Sequence, residues 1–387
     1  MEIIEFITSI FTSYTLRNVA LGAAIMGSVS GALGAFAMLR KQSLMGDAMS
    51  HAALPGIAII FILTQLKTTL ALFLGAFVSA WLGALLVMVV VRYTRIKADS
   101  GLGLVLAVFF GFGLALLSWI QRNMGANQAG LDKYLFGRAA TLIQEDVITV
   151  AIFGAVAIIM VIIFWKEFKL LCFDPDFAAT QGFPVRFLDV LLTSLIVLAI
   201  VLGLQMVGVV LMAALIVAPA AAARQWTDNM GKMVILSALI GGLSGSLGAI
   251  ISATARGLST GPVIVLTASA FAVFSLLLAP NRGLVWEWIR RRRNNRRLAA
   301  VRVLEVLHDL SENHTNPEHP HPTATLQATL PSYTVPATLQ RLESEGLVVQ
   351  PTAGHWAITQ AGVQRTHQLF NDEQTSPSPF QSQEVHA

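Results

Sequence analysis

The sequence predicts an all-α, polytopic membrane protein of about nine transmembrane helices, followed by a small α+β domain. Of the 387 residues, 55% are hydrophobic and only 12% are charged, whereas soluble globular proteins carry about 25% charged residues. Nearly all of the apolar sequence precedes Pro280, and the sequence after Leu298 has the composition of a soluble domain. The low charge excludes a wholly soluble protein, and the change in composition indicates two regions.

The spans are predicted from apolar stretches of about 17–25 residues, the length that crosses the hydrocarbon layer. These stretches cover residues 18–39, 44–64, 69–91, 101–120, 146–165, 187–203, 207–223, 233–255 and 262–279. The short gap between 187–203 and 207–223 predicts a tight hairpin.

Basic residues predict the orientation, because Lys and Arg favour cytoplasmic loops. Alternate loops carry most of them, among them Arg40, Arg92, Lys166, Arg224 and the run at 290–297. The sequence therefore predicts an extracytoplasmic N-terminus and a cytoplasmic C-terminal region.

Composition divides the chain into four predicted parts. They are a membrane domain at 1–283, a basic cytoplasmic linker at 284–297, a folded domain at 298–370 and a disordered tail at 371–387. The arginines of the linker suit contact with anionic membrane lipid. Cys172 is the only cysteine, which excludes an intramolecular disulfide and a thiolate metal cluster.

One ionisable pair lies inside a predicted span, where such groups are costly and often functional. Asp47 and His51 are four residues apart, so they project from one face of a helix. A carboxylate with an imidazole suits Mn²⁺, Zn²⁺ or Fe²⁺, and the lack of thiolates disfavours Cu(I). Pro55 and Gly56 predict a bend one turn later, as in discontinuous transporter helices. By contrast, Asp189 lies near a span end, where solvation of a charge is cheap.

Two interpretations of this pair stay open. Asp47 and His51 are either metal ligands or a structural pair that satisfies itself between helices, because two ligands do not complete a metal shell. In a symmetric dimer, two copies of the pair around the axis would make a four-ligand site.

Seven segments between residues 18 and 283 carry recognisable motifs. They are residues 46–56 (GDAMSHAALPG), 97–103 (KADSGLG), 134–137 (YLFG), 173–182 (FDPDFAATQG), 207–212 (VGVVLM), 218–223 (APAAAA) and 260–262 (TGP). In this order they resemble the membrane subunits of the manganese/zinc/iron ABC importers, which have a type II ABC importer fold. The resemblance implies that Asp47 and His51 hold the metal in transit. It also implies a homodimer, separate ATPase subunits and an extracytoplasmic metal-binding protein, in the cytoplasmic membrane of a prokaryote.

The implied transport requires ATP, yet the sequence has no G-x-x-x-x-G-K-[ST] phosphate loop. We therefore expect the ATPase in a separate chain, and this chain to be a permease and not an enzyme. We expect no permanently bound cofactor. We expect the transported ion to be Mn²⁺ in the first place, and Zn²⁺ or Fe²⁺ next. The resemblance implies that Asp174, Asp176 and Gly182 couple the permease to the ATPase, and a capped surface turn is the alternative.

Residues 298–370 have a pattern of helices and short strands that resembles a winged helix. The predicted helix at 336–345 carries one basic residue, Arg341, and two acidic residues, Glu343 and Glu345. We do not expect DNA binding, because phosphate contacts need clustered basic residues. A histidine-rich tract contains His308, His314, His319 and His321. It is either a cytoplasmic metal sensor or a flexible, solvated loop.

Two other functions compete with metal import. One is a membrane-anchored winged-helix transcription regulator, for which so many spans and a buried Asp–His pair would be unnecessary. The other is a proton-coupled metal carrier that uses Asp47 and His51 as a relay.

Overall fold

The computed structural model describes residues 14–65, 68–123, 143–254, 258–280, 282–312, 319–330 and 335–375. The chain divides into two compact units, Met1–Leu284 and Val285–Ala387, which are described separately. The described elements of the first unit are all helices.

The helices of the first unit are named in chain order. They are α1 (Tyr14–Leu39), α2 (Met45–Ala52), α3 (Leu54–Thr64), α4 (Thr69–Tyr93), α5 (Ala98–Asn123), α6 (Gln144–Ile163), α7 (Trp165–Phe173), α8 (Pro175–Thr180), α9 (Val185–Val207), α10 (Val209–Trp226), α11 (Met230–Thr254) and α12 (Thr260–Leu278). The polytopic, helical class predicted from composition is confirmed.

Within the described part of the chain, eight helices are long and apolar enough to cross a membrane, with α2 and α3 counted as one span. They coincide with eight of the predicted stretches. The remaining stretch, 207–223, falls on α10, whose apolar part Leu211–Trp226 is shorter. This helix follows Gly208, which has a φ of 89°, and contains Pro219. The ninth span therefore stays a prediction.

Helices α1 and α9 form the centre of the membrane unit, and α5 and α6 lie on its outside. Val197, Ala199 and Ile200 of α9 are fully buried. In contrast, α5 and α6 expose large apolar side chains, such as Val108 and Ile152. In a bilayer these outer residues contact lipid, while their backbone groups are hydrogen-bonded within the helix.

Glycines bring α1 and α11 into direct backbone contact. A Cβ atom on Gly27 would lie 2.1 Å from the carbonyl oxygen of Gly241, and one on Gly31 would lie 2.3 Å from that of Ser237. The Ser237 hydroxyl also donates a hydrogen bond of 2.6 Å to the Gly31 carbonyl. The small residues, spaced four apart, therefore pack helix on helix where lipid supplies no hydrophobic drive.

The second unit combines helices with a small sheet. Its elements are α13 (Leu284–Glu312), β1 (His321–Pro322), α14 (Thr323–Thr329), α15 (Val335–Ser344), β2 (Val348–Thr352), β3 (His355–Ile358) and α16 (Gln360–Thr375). The three strands are antiparallel in the order β1-β3-β2. Their core includes Val303 and Leu307 of α13, Leu339 of α15 and Trp356 of β3.

The sequence predicts the helices and strands of this unit well, but two boundaries differ. The segment 284–297 is not separate from the folded domain, because it forms the first half of the continuous helix α13. The last helix extends to Thr375, inside the predicted tail, and residues 376–387 lie outside the described part. The identification as a winged helix stays a prediction.

The contact between α1 and α11 can be tested by adding one methyl group. Gly27→Ala should lower the free energy of unfolding by about 1–3 kcal/mol, the usual cost of an overpacked core. Gly103→Ala is the matched control, because no atom lies within 4 Å of its added Cβ. Thermal unfolding in detergent measures both variants. Equal midpoints for the two variants would contradict this packing.

Candidate functional site

The predicted Asp–His pair lies on α2, a helix of two turns that stops just before Pro55. Helix α2 ends at Ala52 and α3 begins at Leu54, with Pro55 in its first turn. Proline has no N–H to donate to the carbonyl of residue 51, so the hydrogen-bond ladder is interrupted there. The predicted irregularity one turn after His51 is confirmed.

Small residues of the same motif fix this broken span among its neighbours. A Cβ atom on Gly46 would lie 3.1 Å from the Cα of Ala213 in α10, and one on Gly56 would lie 1.9 Å from the carbonyl oxygen of Gly75 in α4. The Ser79 hydroxyl of α4 donates a hydrogen bond of 2.7 Å to the carbonyl of Ala52. This bond satisfies a backbone group beside the break.

The structure brings Asp47 and His51 together as the spacing predicts. Nε2 of His51 lies 3.4 Å from Oδ1 of Asp47. The imidazole packs edge-on against the ring of Phe110 in α5, with 4.5 Å between the ring centroids. Its Nδ1 is buried and has no hydrogen-bond partner among the described residues. The imidazole is thus oriented by packing and by Asp47 alone.

The two side chains differ in how far they are buried. His51 is 15% exposed, whereas the Asp47 side chain is 41% exposed. Ala48, Met49 and Ala52 on the same helix are buried, so α2 has one packed face and one open face that carries Asp47. Among the described residues, no group of three or more His, Cys, Asp or Glu side chains could hold a metal ion. Within the described ranges, Asp47 and His51 therefore stand as a pair and not as part of a larger group of ligands.

A second polar cluster at the ends of α1 and α9 was not foreseen. Arg40 donates a hydrogen bond to the carboxylate of Asp189 and lies 3.4 Å from the hydroxyl of Thr193. The Arg40 side chain is only 12% exposed, and that of Asp189 is 33% exposed. Asp189 lies near the start of α9, as the sequence predicts, and it forms an ion pair with Arg40. Arg40 and Asp189 lie too far apart in sequence for any local pattern to reveal the pair.

A cavity of about 530 Å³ adjoins this ion pair. Its lining includes Arg40, Asp189 and the only cysteine, Cys172. Burial raises the pKa of the Cys172 thiol to about 11; the nearby Arg40 opposes this shift and Asp189 adds to it. The thiol is therefore protonated at neutral pH.

The three residues of the predicted coupling segment form the turn around α8. Asp174 caps this helix, since its carboxylate accepts a hydrogen bond of 2.8 Å from the N–H of Phe177. Gly182 has a φ of 82°, a conformation that favours glycine. Asp176 is exposed. Asp174 and Gly182 thus shape the turn, and Asp176 is available on its surface.

Exposed phenylalanines are the feature of this segment that the sequence analysis missed. Phe173, Phe177 and Phe183 are 59%, 49% and 40% exposed. Phe177 lies within α8, and the other two phenylalanines lie just before and just after it in the chain. Lys166 and Arg186 flank the segment on either side. Apolar rings next to polar residues are typical of surfaces that bind another protein.

The histidines of the C-terminal unit form pairs in the structure. His308 contacts His367, with ring centroids 5.1 Å apart, and His319 contacts His321 at 5.5 Å. His314 lies outside the described residues. The metal-sensor hypothesis for His308, His314, His319 and His321 stays a prediction.

Comparison with known proteins agrees with this architecture. The model of the ABC 3 transport family matches residues 12–279. The chain belongs to the ABC 3 transport family. The match contains α2, with Asp47 and His51, and the segment around α8.

Two curated relatives of this ABC 3 family member cover most of its length. It is 49% identical over 284 residues to the zinc transport system membrane protein TroC of Treponema pallidum, covering 73% of this chain and 95% of TroC. It is 41% identical over 347 residues to the manganese transport system membrane protein MntC of Bacillus subtilis, covering 90% of this chain and 80% of MntC. The second match must extend into the C-terminal unit.

Solved structures share the fold of this ABC 3 family member. PsaBC from Streptococcus pneumoniae in complex with Fab matches at 33% identity with a TM-score of 0.64, covering 72% of this chain and 97% of the other. An inward-facing metal-chelate type ABC transporter matches at 14% identity with a TM-score of 0.54, covering 70% and 87% of the two chains. The second similarity concerns the fold alone.

The pH dependence of labelling tests the environment of Cys172. Thiolate is the form that reacts with maleimide, and the thiol pKa is raised from 9.0 to about 11. The labelling rate of the folded protein should therefore keep rising through pH 10. The protein denatured in SDS is the control, and its rate should level off above pH 9. Coincident profiles would contradict the buried site.

Proposed function

We propose that this member of the ABC 3 transport family is the permease subunit of an ATP-driven importer of a divalent transition metal. Asp47 and His51 hold the ion in transit, with Mn²⁺ as the first candidate and Zn²⁺ or Fe²⁺ next. The protein keeps no permanent cofactor and carries out no covalent chemistry. The curated relatives named for zinc and manganese transport support this assignment.

The observation that carries the metal site is the exposed carboxylate in the first turn of a membrane span. The Asp47 side chain is 41% exposed in the span Met45–Thr64. A carboxylate directed at lipid would be costly, so the open face of α2 is directed at a partner subunit or a water-filled pathway. An oxygen donor next to an imidazole on such a face suits Mn²⁺, Fe²⁺ or Zn²⁺.

A homodimer would complete this site. One copy offers two ligands, which is fewer than a transition metal requires. A two-fold axis beside α2 would bring two carboxylates and two imidazoles together and would cover the exposed side of Asp47. The unpartnered Nδ1 of His51 and its 4.5 Å contact with Phe110 leave the ring held mainly by packing. Metal binding would therefore need no existing hydrogen bond of Nδ1 to be broken.

Alternating access is the mechanism that fits the broken span. The interruption after Ala52 lies within one turn of His51, so a change of angle between α2 and α3 would move the ligands relative to α4 and α5. Ligand carboxylates and imidazoles that move apart would release the ion. The energy comes from ATP hydrolysis in separate ATPase subunits, and an extracytoplasmic binding protein delivers the metal.

The segment around α8 is the proposed contact with the ATPase. It presents three exposed phenylalanines together with Asp176, while Asp174 and Gly182 hold the turn in shape. Basic residues in adjacent loops support a cytoplasmic position for this segment. The N-terminus is then extracytoplasmic and the protein lies in the plasma membrane of a prokaryote.

We further propose that the C-terminal unit is a cytoplasmic, winged-helix-like domain with a regulatory role in protein contact. Its helices α13 to α15 precede the hairpin of β2 and β3, with Gly354 at a φ of 79° in the turn. The match to the manganese transport system membrane protein of Bacillus subtilis covers 90% of the chain and so extends into this unit, which supports a role connected with transport.

Metal uptake by single-residue variants tests the site. Asp47→Asn keeps the shape and loses the anionic ligand, and His51→Gln removes the imidazole at similar reach. Each should reduce uptake of radioactive Mn²⁺ at least about tenfold, with thermal stability unchanged. Asp99→Asn is the matched control, because this exposed carboxylate at the start of α5 should be replaced without loss of uptake.

A purely structural pair predicts a different pattern. Asp47→Ala and His51→Ala would then each lower the unfolding temperature, and the double variant would recover part of the loss because no half of the pair is left without its partner. Full uptake by a well-folded Asp47→Asn protein would refute the metal site.

The proposed ATPase contact is tested by the phenylalanines. Phe177→Ser removes an exposed ring and should reduce co-purification of the ATPase at least about tenfold, as is usual for the loss of an aromatic anchor. The membrane domain should stay folded, because the ring is 49% exposed. Gln181→Ser, on the same segment, is the control. Equal ATPase recovery with both variants would exclude Phe177 from the contact.

A further inference from the structure

A basic cleft lies between two helices of the C-terminal unit. Its volume is about 660 Å³. Four arginines of α13 line it, together with Trp288 and one arginine of α15. The arginines are Arg292, Arg293, Arg296, Arg297 and Arg341.

The spacing of the α13 arginines explains why they share one face. Arg292 and Arg296 are four residues apart, as are Arg293 and Arg297, so each pair stacks on one side of the helix. Trp288 lies one turn earlier, and the guanidinium of Arg292 is 5.1 Å from the centroid of its ring. The cleft thus combines a row of positive charge with an indole at one end.

Few carboxylates compensate this charge. In the part of this unit that the structure describes, no carboxylate lines the cleft. Glu345 accepts a hydrogen bond of 2.9 Å from Nε of Arg341, and Glu287 pairs with Arg291, which does not line the cleft. Arginine forms bidentate hydrogen bonds with phosphate oxygens, so five guanidinium groups around one space provide a site for a phosphate group.

Apolar residues continue from the cleft towards the start of α13. Leu284, Trp286, Trp288 and Ile289 are exposed by 58%, 46%, 60% and 42%. Tryptophan followed by arginine is typical of a helix at a membrane surface.

We propose that this cleft binds the phosphate headgroup of an anionic glycerophospholipid of the surrounding membrane. The arginines hold the phosphodiester, and Trp288 with its apolar neighbours contacts the glycerol and the first carbons of the acyl chains. The proposal does not depend on the metal site of Asp47 and His51.

The apolar surface beside the arginines favours lipid over nucleic acid. Nucleic-acid sites are strongly positive and polar, whereas this row of arginines ends at exposed tryptophan, leucine and isoleucine.

The position of Arg341 means that a bound lipid would contact two helices. This arginine belongs to α15, which packs through Leu339 and Leu342 into the core shared with α13, so a lipid in the cleft would bind to both helices at once.

Binding of a soluble short-chain lipid to the full-length protein tests the proposal. Purified protein in a neutral detergent is titrated with dihexanoyl phosphatidylglycerol, with dihexanoyl phosphatidylcholine as the zwitterionic control, and affinity is measured by thermophoresis. Arg292→Gln/Arg296→Gln should weaken the affinity for phosphatidylglycerol at least about tenfold, since each surface arginine contributes about 1 kcal/mol to such binding. Arg290→Gln/Arg291→Gln is the charge-matched control outside the cleft and should weaken it much less.

Arg341→Gln separates a defined cleft from general attraction to α13. Loss of affinity in this variant supports the proposal, because Arg341 lies on another helix. Equal losses of affinity in the two double variants, or no loss in Arg341→Gln, would overturn the assignment of the cleft as the binding site. Displacement of the lipid by millimolar inorganic phosphate would mean a site for free phosphate, and tighter binding of a 20-base-pair DNA would mean a nucleic-acid site. Either result would overturn the lipid assignment.

Discussion

Inside a bilayer, apolar side chains gain little by leaving lipid, so helices associate through close backbone contact and hydrogen bonds. In this protein that contact is concentrated where glycines of α1 meet the backbone of α11. Gly27 and Gly241 face each other so closely that neither has room for a methyl group. The Ser237 hydroxyl adds a hydrogen bond to the Gly31 carbonyl across the same contact. The central position of α1 depends on this pairing.

The same constraint positions the candidate metal site. Helix α2 is too short to be stable by itself, and it is held by Gly46 against α10 and by Ser79 from α4. Apart from Met45 and Met49, the buried residues of this helix are small, so the helix lies close to its neighbours. The charged residue is left on the opposite face. Packing thus explains why Asp47 is exposed while His51, one turn later, is nearly buried.

Much of this arrangement could be predicted from the sequence, because the relevant signals are local. Span positions follow from apolar length, and the shared face of Asp47 and His51 follows from helical spacing. The ion pair between Arg40 and Asp189 could not be predicted, since it depends on how α1 and α9 pack. The exposed rings around α8 were also missed, because an apolar residue in a short segment gives no sign of which side it faces. From sequence alone the arginines of 290–297 predict a linker, because Arg341, which lines the same cleft, is distant in the chain. Only the folded unit shows that four of them face α15.

The open face of Asp47 also has a consequence for how this scaffold can evolve. Replacement of Gly27, Gly31 or Gly241 is costly, because even alanine would force a neighbouring backbone to shift. Asp47 supports no packing of this kind, and its side chain is 41% exposed. In the proposed metal site, a different ligand at position 47 would therefore change the chemistry offered to the ion without disturbing the packing of the helices.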